Sequence, residues 1–167
     1  MLFVDDSGWG SLLGGVMIGV YDDNTRKFKA KLIPPTYFQG KKWTEALYRD
    51  KATELFLEMW IMMGSQRQLN ICRGTVLDGI DRYLQYKGIG RAHLKRVEIK
   101  DPLQGLLEEK FAESLMKLGV PRLSSGAHCL SFNDQLAWLK EDPKRIKYAK
   151  TGWPSWEAKY KKQLSSK

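Results

Sequence analysis

Two adjacent carboxylates near the start of the chain, Asp5 and Asp6, are the residues whose type and spacing best suit chemistry. They follow the apolar residues 1–4 and precede a glycine-rich stretch, residues 7–15. A carboxylate at the end of a buried strand is held rigidly while its oxygens face a cleft, and paired carboxylates suit a hard divalent cation. An ordinary turn is an equally good interpretation, because Asp, Ser and Gly are common turn formers. Either way, the pattern predicts strand, tight turn, strand.

The residues from Asp5 to Val16 resemble the opening motif of ribonuclease HII, in which Asp-Glu-Ala-Gly-Arg-Gly-Pro-Leu-Ala-Gly-Pro follows the first strand. This chain differs at Asp6, where the family has Glu, and at Trp9, where the family has Arg. The resemblance implies that Asp5 and Asp6 are catalytic metal ligands. It also implies that the stretch Gly8-Trp9-Gly10 contacts nucleic acid. The positions that coincide with the family are Asp5, Gly8, Gly10, Leu12 and Gly14.

Length and composition limit the class of protein. A chain of 167 residues with 43% hydrophobic and 11% aromatic residues suits one globular domain, residues 1–167, and excludes disorder of the whole chain. No apolar run approaches the ~20 residues that a membrane helix needs. The N-terminus lacks the basic and long apolar regions of a signal peptide. We therefore expect a cytoplasmic monomer with no membrane contact.

The cysteine content and the net charge limit which metals and which partners the chain can be expected to bind. Cys72 and Cys129 have no zinc-type or disulfide-framework spacing, so they are expected to be buried thiols. The net charge of +9 favours a polyanionic partner, most often nucleic acid. Nine basic and three acidic residues lie in 140–167, which predicts a basic C-terminal helical segment from about residue 140.

Hydrophobic periodicity predicts an α/β or α+β domain. Residues 16–21 and 27–33 read as the second and third strands of an antiparallel meander. Residues 42–63 read as one long amphipathic helix, with Thr44 as a possible cap. Residues 93–100 read as a strand that leads into another amphipathic helix.

Two further segments resemble ribonuclease HII. Residues 69–77 resemble a helix of that family with the pattern Asn-Ile-x-x-Ala-Thr, and we expect a core helix there with Asp78 and Asp81 pointing outward. Lys41 and Lys42 resemble its Ser-Lys-Lys-Leu-Ser stretch. They are either solvated charges or phosphate contacts, the second being favoured because a helix start does not attract cations.

Two more acids are candidates for the catalytic set. Asp101 follows a predicted strand, and it also precedes Pro102 as a helix N-cap would, with the proline at the first helical position. The two roles are compatible, and the resemblance implies that Asp101 is the third catalytic acid and a metal ligand. Asp134 is the nearest candidate for a fourth catalytic acid, with a solvated aspartate at a helix start as the alternative.

The C-terminal segment 148–159 resembles the family's Lys-Gly-Tyr-Pro-Thr-x-x-His pattern. Trp153 stands where that family has a tyrosine that packs on the sugar at the cleavage junction. Aromatic side chains among lysines suit nucleic acid, which predicts contacts from Trp153 and Lys150. The alternative is that Trp153 and Trp156 cover the core.

Taken together, the resemblance implies a ribonuclease H-like α/β fold: a mixed five-stranded sheet, its first three strands antiparallel, flanked by helices. It implies two Mg²⁺ or Mn²⁺ ions about 3.5 to 4 Å apart between Asp5, Asp6 and Asp101. The substrate would be an RNA:DNA hybrid or a ribonucleotide-containing duplex. The missing Arg and the uncertain fourth acid are the grounds for the alternative, a weakly active or inactive nucleic-acid-binding protein of the same fold.

Overall fold

A five-stranded mixed sheet forms the centre of the molecule. The computed structural model describes residues 1–64, 68–89, 94–121 and 131–165. The sheet has the order β3-β2-β1-β4-β5. The first three strands are antiparallel neighbours, whereas β4 runs parallel to both β1 and β5. The predicted α/β class and the mixed sheet are confirmed. The strands are β1 (Leu2–Ser7), β2 (Val16–Asp22), β3 (Lys27–Ile33), β4 (Leu69–Cys72) and β5 (Leu94–Val97).

Helices cover both faces of the sheet. In the described part of the chain, no helix is long and apolar enough to cross a membrane. Short 3-10 turns at Pro35–Phe38, Thr75–Leu77 and Pro143–Tyr148 and a π-helical turn at Trp156–Tyr160 link the longer elements. The α-helices are α1 (Gly40–Thr44), α2 (Leu47–Met63), α3 (Asp78–Tyr86), α4 (Leu103–Met116), α5 (Phe132–Glu141) and α6 (Lys161–Ser165).

The two faces of the sheet carry separate hydrophobic cores. Side chains alternate between the faces of a strand, so Leu2 and Val4 of β1 enter one core while Phe3 packs against the other. The first core lies between the sheet and helices α2 and α3. The second core lies between the sheet and α4, α5 and the C-terminal segment. Because every residue of β2 is buried, this strand is covered on both faces.

The predicted single helix over residues 42–63 is wrong at its start. Ala46 adopts a left-handed conformation with φ of 54°, which separates α1 from α2. Thr44 is therefore the last residue of α1 and caps nothing at the start of α2. The bend brings the rings of Trp43 and Tyr48 into a stack with centroids 5.3 Å apart. This aromatic contact lies where a continuous helix was expected.

The helix predicted over residues 69–77 is also wrong. Leu69 and Ile71 are buried in the first core and belong to β4, and α3 begins only at Asp78. A short apolar run between two other strands fits either element, and periodicity alone does not separate them. Asp78 and Asp81 are not simply solvated, because Arg96 of β5 donates hydrogen bonds to both, at 3.2 and 2.7 Å.

The prediction that both cysteines are buried thiols can be compared with the structure for Cys72 only. Cys72 ends β4 as a free, half-buried thiol that packs against both cores. Cys129 lies outside the described residues, as does the predicted start of β5 at residue 93.

Candidate functional site

Asp5 and Asp6 lie within β1 and not after its end, which corrects the predicted tight turn. Asp5 is opposite Gly19 of β2 and Asp6 is opposite Ile18. Ile18 belongs to the first core, whereas a Cβ added to Gly19 would lie 2.7 Å from the Leu107 side chain in the second core. Since adjacent strand residues point to opposite faces, Asp6 lies on the first-core face and Asp5 on the second-core face. The pair is therefore held by the central strand of the sheet.

Burial dominates the electrostatics of the pair, and the charge of Asp5 adds to it at Asp6. Asp5 is only 7% exposed, and burial raises its pKa despite hydrogen bonds from the Cys72 thiol and the Asp6 amide. Burial, followed by the charge of Asp5, raises the pKa of Asp6 to about 7, with Lys150 opposing the shift. Burial and Asp5 together raise the pKa of Cys72 to about 11, so the thiol stays protonated and can donate. The site concentrates negative charge that a bound cation would relieve.

Gly74, just beyond β4, is a site residue that the sequence interpretation missed. A Cβ at this position would lie 2.5 Å from Oδ1 of Asp6. Any other residue would push against the carboxylate, so glycine lets the chain leaving β4 pass close to Asp6. The signal was a glycine directly after a short apolar run, which is typical of close backbone approach.

The glycine-rich loop, residues 8–15, is fixed by a side chain from the far end of the chain. Gln135 of α5 is buried, and its Oε1 accepts hydrogen bonds from the amides of Leu12 at 2.8 Å and Leu13 at 3.1 Å. The Ser11 hydroxyl lies 3.0 Å from the same oxygen. Buried backbone amides need such acceptors. Gln135 thus determines the path of the loop that follows the two acids.

Lys150 is the second side chain that holds the loop, and its predicted role as a phosphate contact is wrong. The residue is 0% exposed, and its Nζ donates to the carbonyl of Ser11 at 2.7 Å and to that of Gly8. Its amide also donates to the Leu12 carbonyl at 2.9 Å. A buried ammonium needs several acceptors to offset its desolvation. These carbonyls satisfy the ammonium, which is not accessible to a ligand at the surface, although its charge still lowers the pKa of Asp6.

The predicted contact residues of the glycine motif lie in different surroundings. Gly8 has φ of +92°, and an added Cβ would lie 2.4 Å from the Phe111 ring, so its Cα faces the second core. Gly10 is exposed, and nothing would lie within 4 Å of an added Cβ. A partner can therefore approach the loop at Gly10.

Trp9, which replaces the family's Arg, joins an aromatic cluster of four residues. Its ring centroid lies 5.5 Å from that of Tyr48, 5.8 Å from that of Trp43 and 6.2 Å from that of Phe38. Such spacings allow tilted and edge-to-face aromatic contacts. Trp9 thereby attaches the loop to the first core, while Gln135 and Lys150 attach it to elements of the second core. The aromatic cluster is Trp9, Phe38, Trp43 and Tyr48.

Lys41 and Lys42 stay at the surface on α1, as predicted. The Nζ of Lys41 lies 3.4 Å from Glu45, and the Nζ of Lys42 lies 4.6 Å from the centre of the Tyr37 ring. Both amines remain accessible to a polyanion.

Asp101 and Asp134 are not brought to the pair. Asp101 is exposed beside a pocket of about 220 Å³, and its Oδ1 accepts from the Gly105 amide at 3.2 Å. Helix α4 begins at Leu103, so Pro102 precedes the helix and is not its first residue. Asp134 contacts Ser131, the N-cap of α5, as a solvated helix-start aspartate does. Within the described ranges, no three His, Cys, Asp or Glu side chains gather to hold a metal ion.

The two tryptophans near the C-terminus differ in exposure. Trp156 is 4% exposed and belongs to the second core, so the covering role is confirmed for it. Trp153 is half-buried against the same core, with the Lys150 ammonium 5.7 Å from its ring centre. Its contact with a sugar stays a prediction.

Comparison with known proteins adds no relative to this geometry. The sequence matches no model of a known protein family and no curated protein.

Proposed function

We propose that this protein is a divalent-metal-dependent nuclease of the ribonuclease H-like type, which cleaves RNA in RNA:DNA hybrids or at ribonucleotides in duplex DNA. The observation that carries the proposal is the crowding of Asp5 and Asp6 on the central strand, where the pKa of Asp6 rises to about 7. Perturbed carboxylates of this kind are concentrated at functional sites. The mixed sheet with three antiparallel strands and the net charge of +9 support it further.

Because Asp5 and Asp6 point to opposite faces of β1, the side chains fit a sparse metal site in which an ion takes few protein ligands. Asp5 and Asp6 supply carboxylate oxygens, the donors that Mg²⁺ and Mn²⁺ prefer, and Mg²⁺ is commonly held by one or two carboxylates together with water and substrate phosphates. Bound there, divalent cations would supply the charge that activates water and stabilises the leaving oxygen in phosphodiester hydrolysis. Asp101 and Asp134 are not needed for such a site.

The chain's own residues would position the substrate. Gly10 leaves the loop open to a large partner, and Gln135 and Lys150 hold the loop backbone in one conformation. A preorganised loop avoids the entropy cost of ordering at the moment of reaction. Lys41 and Lys42 would attract the phosphate backbone.

A second function, binding of nucleic acid without cleavage, is favoured by one observation. Among the residues that the structure describes, no three His, Cys, Asp or Glu side chains are placed so that they could hold a metal ion. Trp9 also removes the guanidinium that the resemblance places between the two glycines.

A panel of labelled substrates separates the two functions. The panel contains an RNA:DNA hybrid, a DNA duplex with a single ribonucleotide, and an all-DNA duplex, each incubated with Mg²⁺ or Mn²⁺. The proposed nuclease cuts the first or second substrate and spares the all-DNA duplex. Binding of all three without any cut would establish the noncatalytic function and overturn the nuclease.

A further inference from the structure

Two segments that carry exposed lysines and are far apart in sequence lie side by side. Gln39, the residue before α1, donates from Nε2 to the carbonyl of Lys147 at 3.0 Å and to that of Ala149 at 2.8 Å. These bonds hold the start of α1 against the 3-10 turn 143–148. The backbone segments that carry Lys42 and Lys147 are therefore held close together, and both side chains are exposed.

Each of these lysines is held over an aromatic ring. The Nζ of Lys42 lies 4.6 Å from the centre of the Tyr37 ring, and that of Lys147 lies 4.9 Å from the centre of the Tyr148 ring. Cation–π contact restricts the two ammonium groups. A restricted lysine loses less side-chain entropy when it meets a phosphate, so the pair is preorganised for an anionic chain.

Two indole rings in contact link α1 to the glycine-rich loop. Trp43 is half-buried, stacks on Tyr48, and is covered at its Cγ by Gly152, where an added Cβ would lie at 2.4 Å. The Trp9 ring centroid lies 5.8 Å from that of Trp43, and Trp9 is likewise half-buried. Among the described residues, the one acid that pairs with a lysine of α1 is Glu45, on Lys41. The surface therefore combines two partly exposed indole rings with the two exposed ammonium groups.

We propose that this surface, formed by Trp9, Lys42, Trp43 and Lys147, binds single-stranded nucleic acid. Unpaired bases can stack on indole rings, whereas the bases of a duplex are already stacked on one another. The lysines would neutralise the phosphates on either side of the stacked base. The inference rests on the proposed function in one respect: the bound strand would continue from the substrate held at Asp5 and Asp6.

The test measures binding apart from cleavage. Asp5→Asn protein in EDTA is titrated with a fluorescent oligothymidylate of about 12 nucleotides, within the range of known single-strand sites, and anisotropy is recorded from 0.05 to 0.5 M salt. Loss of two phosphate contacts lowers the log-log salt slope by about 1.4 and weakens binding roughly 25-fold at 0.1 M salt. The double variant Lys42→Gln/Lys147→Gln should show both changes.

A matched control uses two exposed lysines elsewhere, Lys27 and Lys29 of β3. Lys27→Gln/Lys29→Gln removes the same charge and should change the affinity less than twofold. If both double variants weaken binding equally, the effect is net charge alone and the proposed surface is overturned.

Base stacking is tested by a separate binding experiment, which needs no substitution in the protein. An oligonucleotide of the same length with abasic sites keeps its phosphates, so it should bind the unsubstituted surface about tenfold more weakly with the same salt slope. Trp43→Leu, checked by circular dichroism for an intact fold, should reduce this difference, since only Trp9 then remains for stacking. Equal binding of the abasic and normal strands, or tighter binding of the matched DNA duplex, would overturn the proposal. Absence of cleavage by the wild type would refute only the nuclease, because this assay never requires a cut.

Discussion

Replacing Gln135 by Met should destabilise the protein by several kcal/mol although the residue is remote in sequence from the loop it supports. Methionine fills similar volume but accepts no comparable hydrogen bond, so the amides of Leu12 and Leu13 lose their acceptor. Leu12 and Leu13 are each 0% exposed, so water cannot take over. An unsatisfied buried donor costs about 1–3 kcal/mol. Two of them predict a loss of about 2–6 kcal/mol in the free energy of unfolding.

Urea denaturation followed by far-UV circular dichroism measures this loss. Asn133→Met, at an exposed position on the same helix, is the control for helix propensity and should change stability by less than about 0.5 kcal/mol. Amide hydrogen exchange at Leu12 and Leu13 should accelerate in Gln135→Met. A loss below about 1 kcal/mol with unchanged exchange at these two amides would show that Gln135 does not hold the loop.

Four further substitutions test the site. The raised pKa of Asp6 contributes stability that is fully present below pH ~4 and is lost as pH rises through about 7. Metal-free Asp6→Asn should therefore be more stable than wild type at pH 8, by up to about 4 kcal/mol. Urea midpoints that are the same for the two proteins at every pH from 4 to 8 would contradict this. Gly8→Ala places a Cβ against the Phe111 ring at positive φ and should cost at least ~2 kcal/mol, and an unchanged Tm would exclude that contact. Asp134→Ala should cost up to about 1 kcal/mol, because it removes the acceptor of the Ser131 hydroxyl and an acid in the first turn of α5, and should leave cleavage unchanged, whereas a large loss of cleavage would make it the fourth catalytic acid. Lys150→Gln should leave the salt slope of nucleic-acid binding unchanged, because the ammonium is buried; a slope smaller by ~0.7 would return Lys150 to the surface.

The strands and helices that the sequence predicts correctly are those whose hydrophobic pattern is visible within the element itself. Residues 27–33 alternate because one face of β3 is solvated, and the apolar positions of α2 recur at helical spacing because one side of it packs on the sheet. The break at Ala46 has no such signal, since alanine rarely adopts positive φ. Residues 69–72 were misassigned because four residues are too few to show a period.

For the candidate site, the sequence identified the acids but not their support. Asp5 and Asp6 are recognisable because a local motif surrounds them. Lys150 was placed on the surface because lysine is almost never fully buried. Its burial depends on carbonyls of Gly8 and Ser11 that lie 142 and 139 positions away in the chain. Gln135 acts over a similar separation, and periodicity cannot reveal contacts at that range.

The most direct test of the central claim is single-turnover cleavage of an RNA:DNA hybrid by wild type and by Asp5→Asn. The account predicts that wild type cuts the hybrid with Mg²⁺ or Mn²⁺ and stops in EDTA. Asp5→Asn should bind the hybrid at least as tightly, because a negative charge near phosphate is removed, yet should not cut it. Asp23→Asn, at an exposed acid beyond the end of β2, is the control and should cut at the wild-type rate. Cleavage by Asp5→Asn at the wild-type rate, or cleavage that persists in EDTA, would contradict the account.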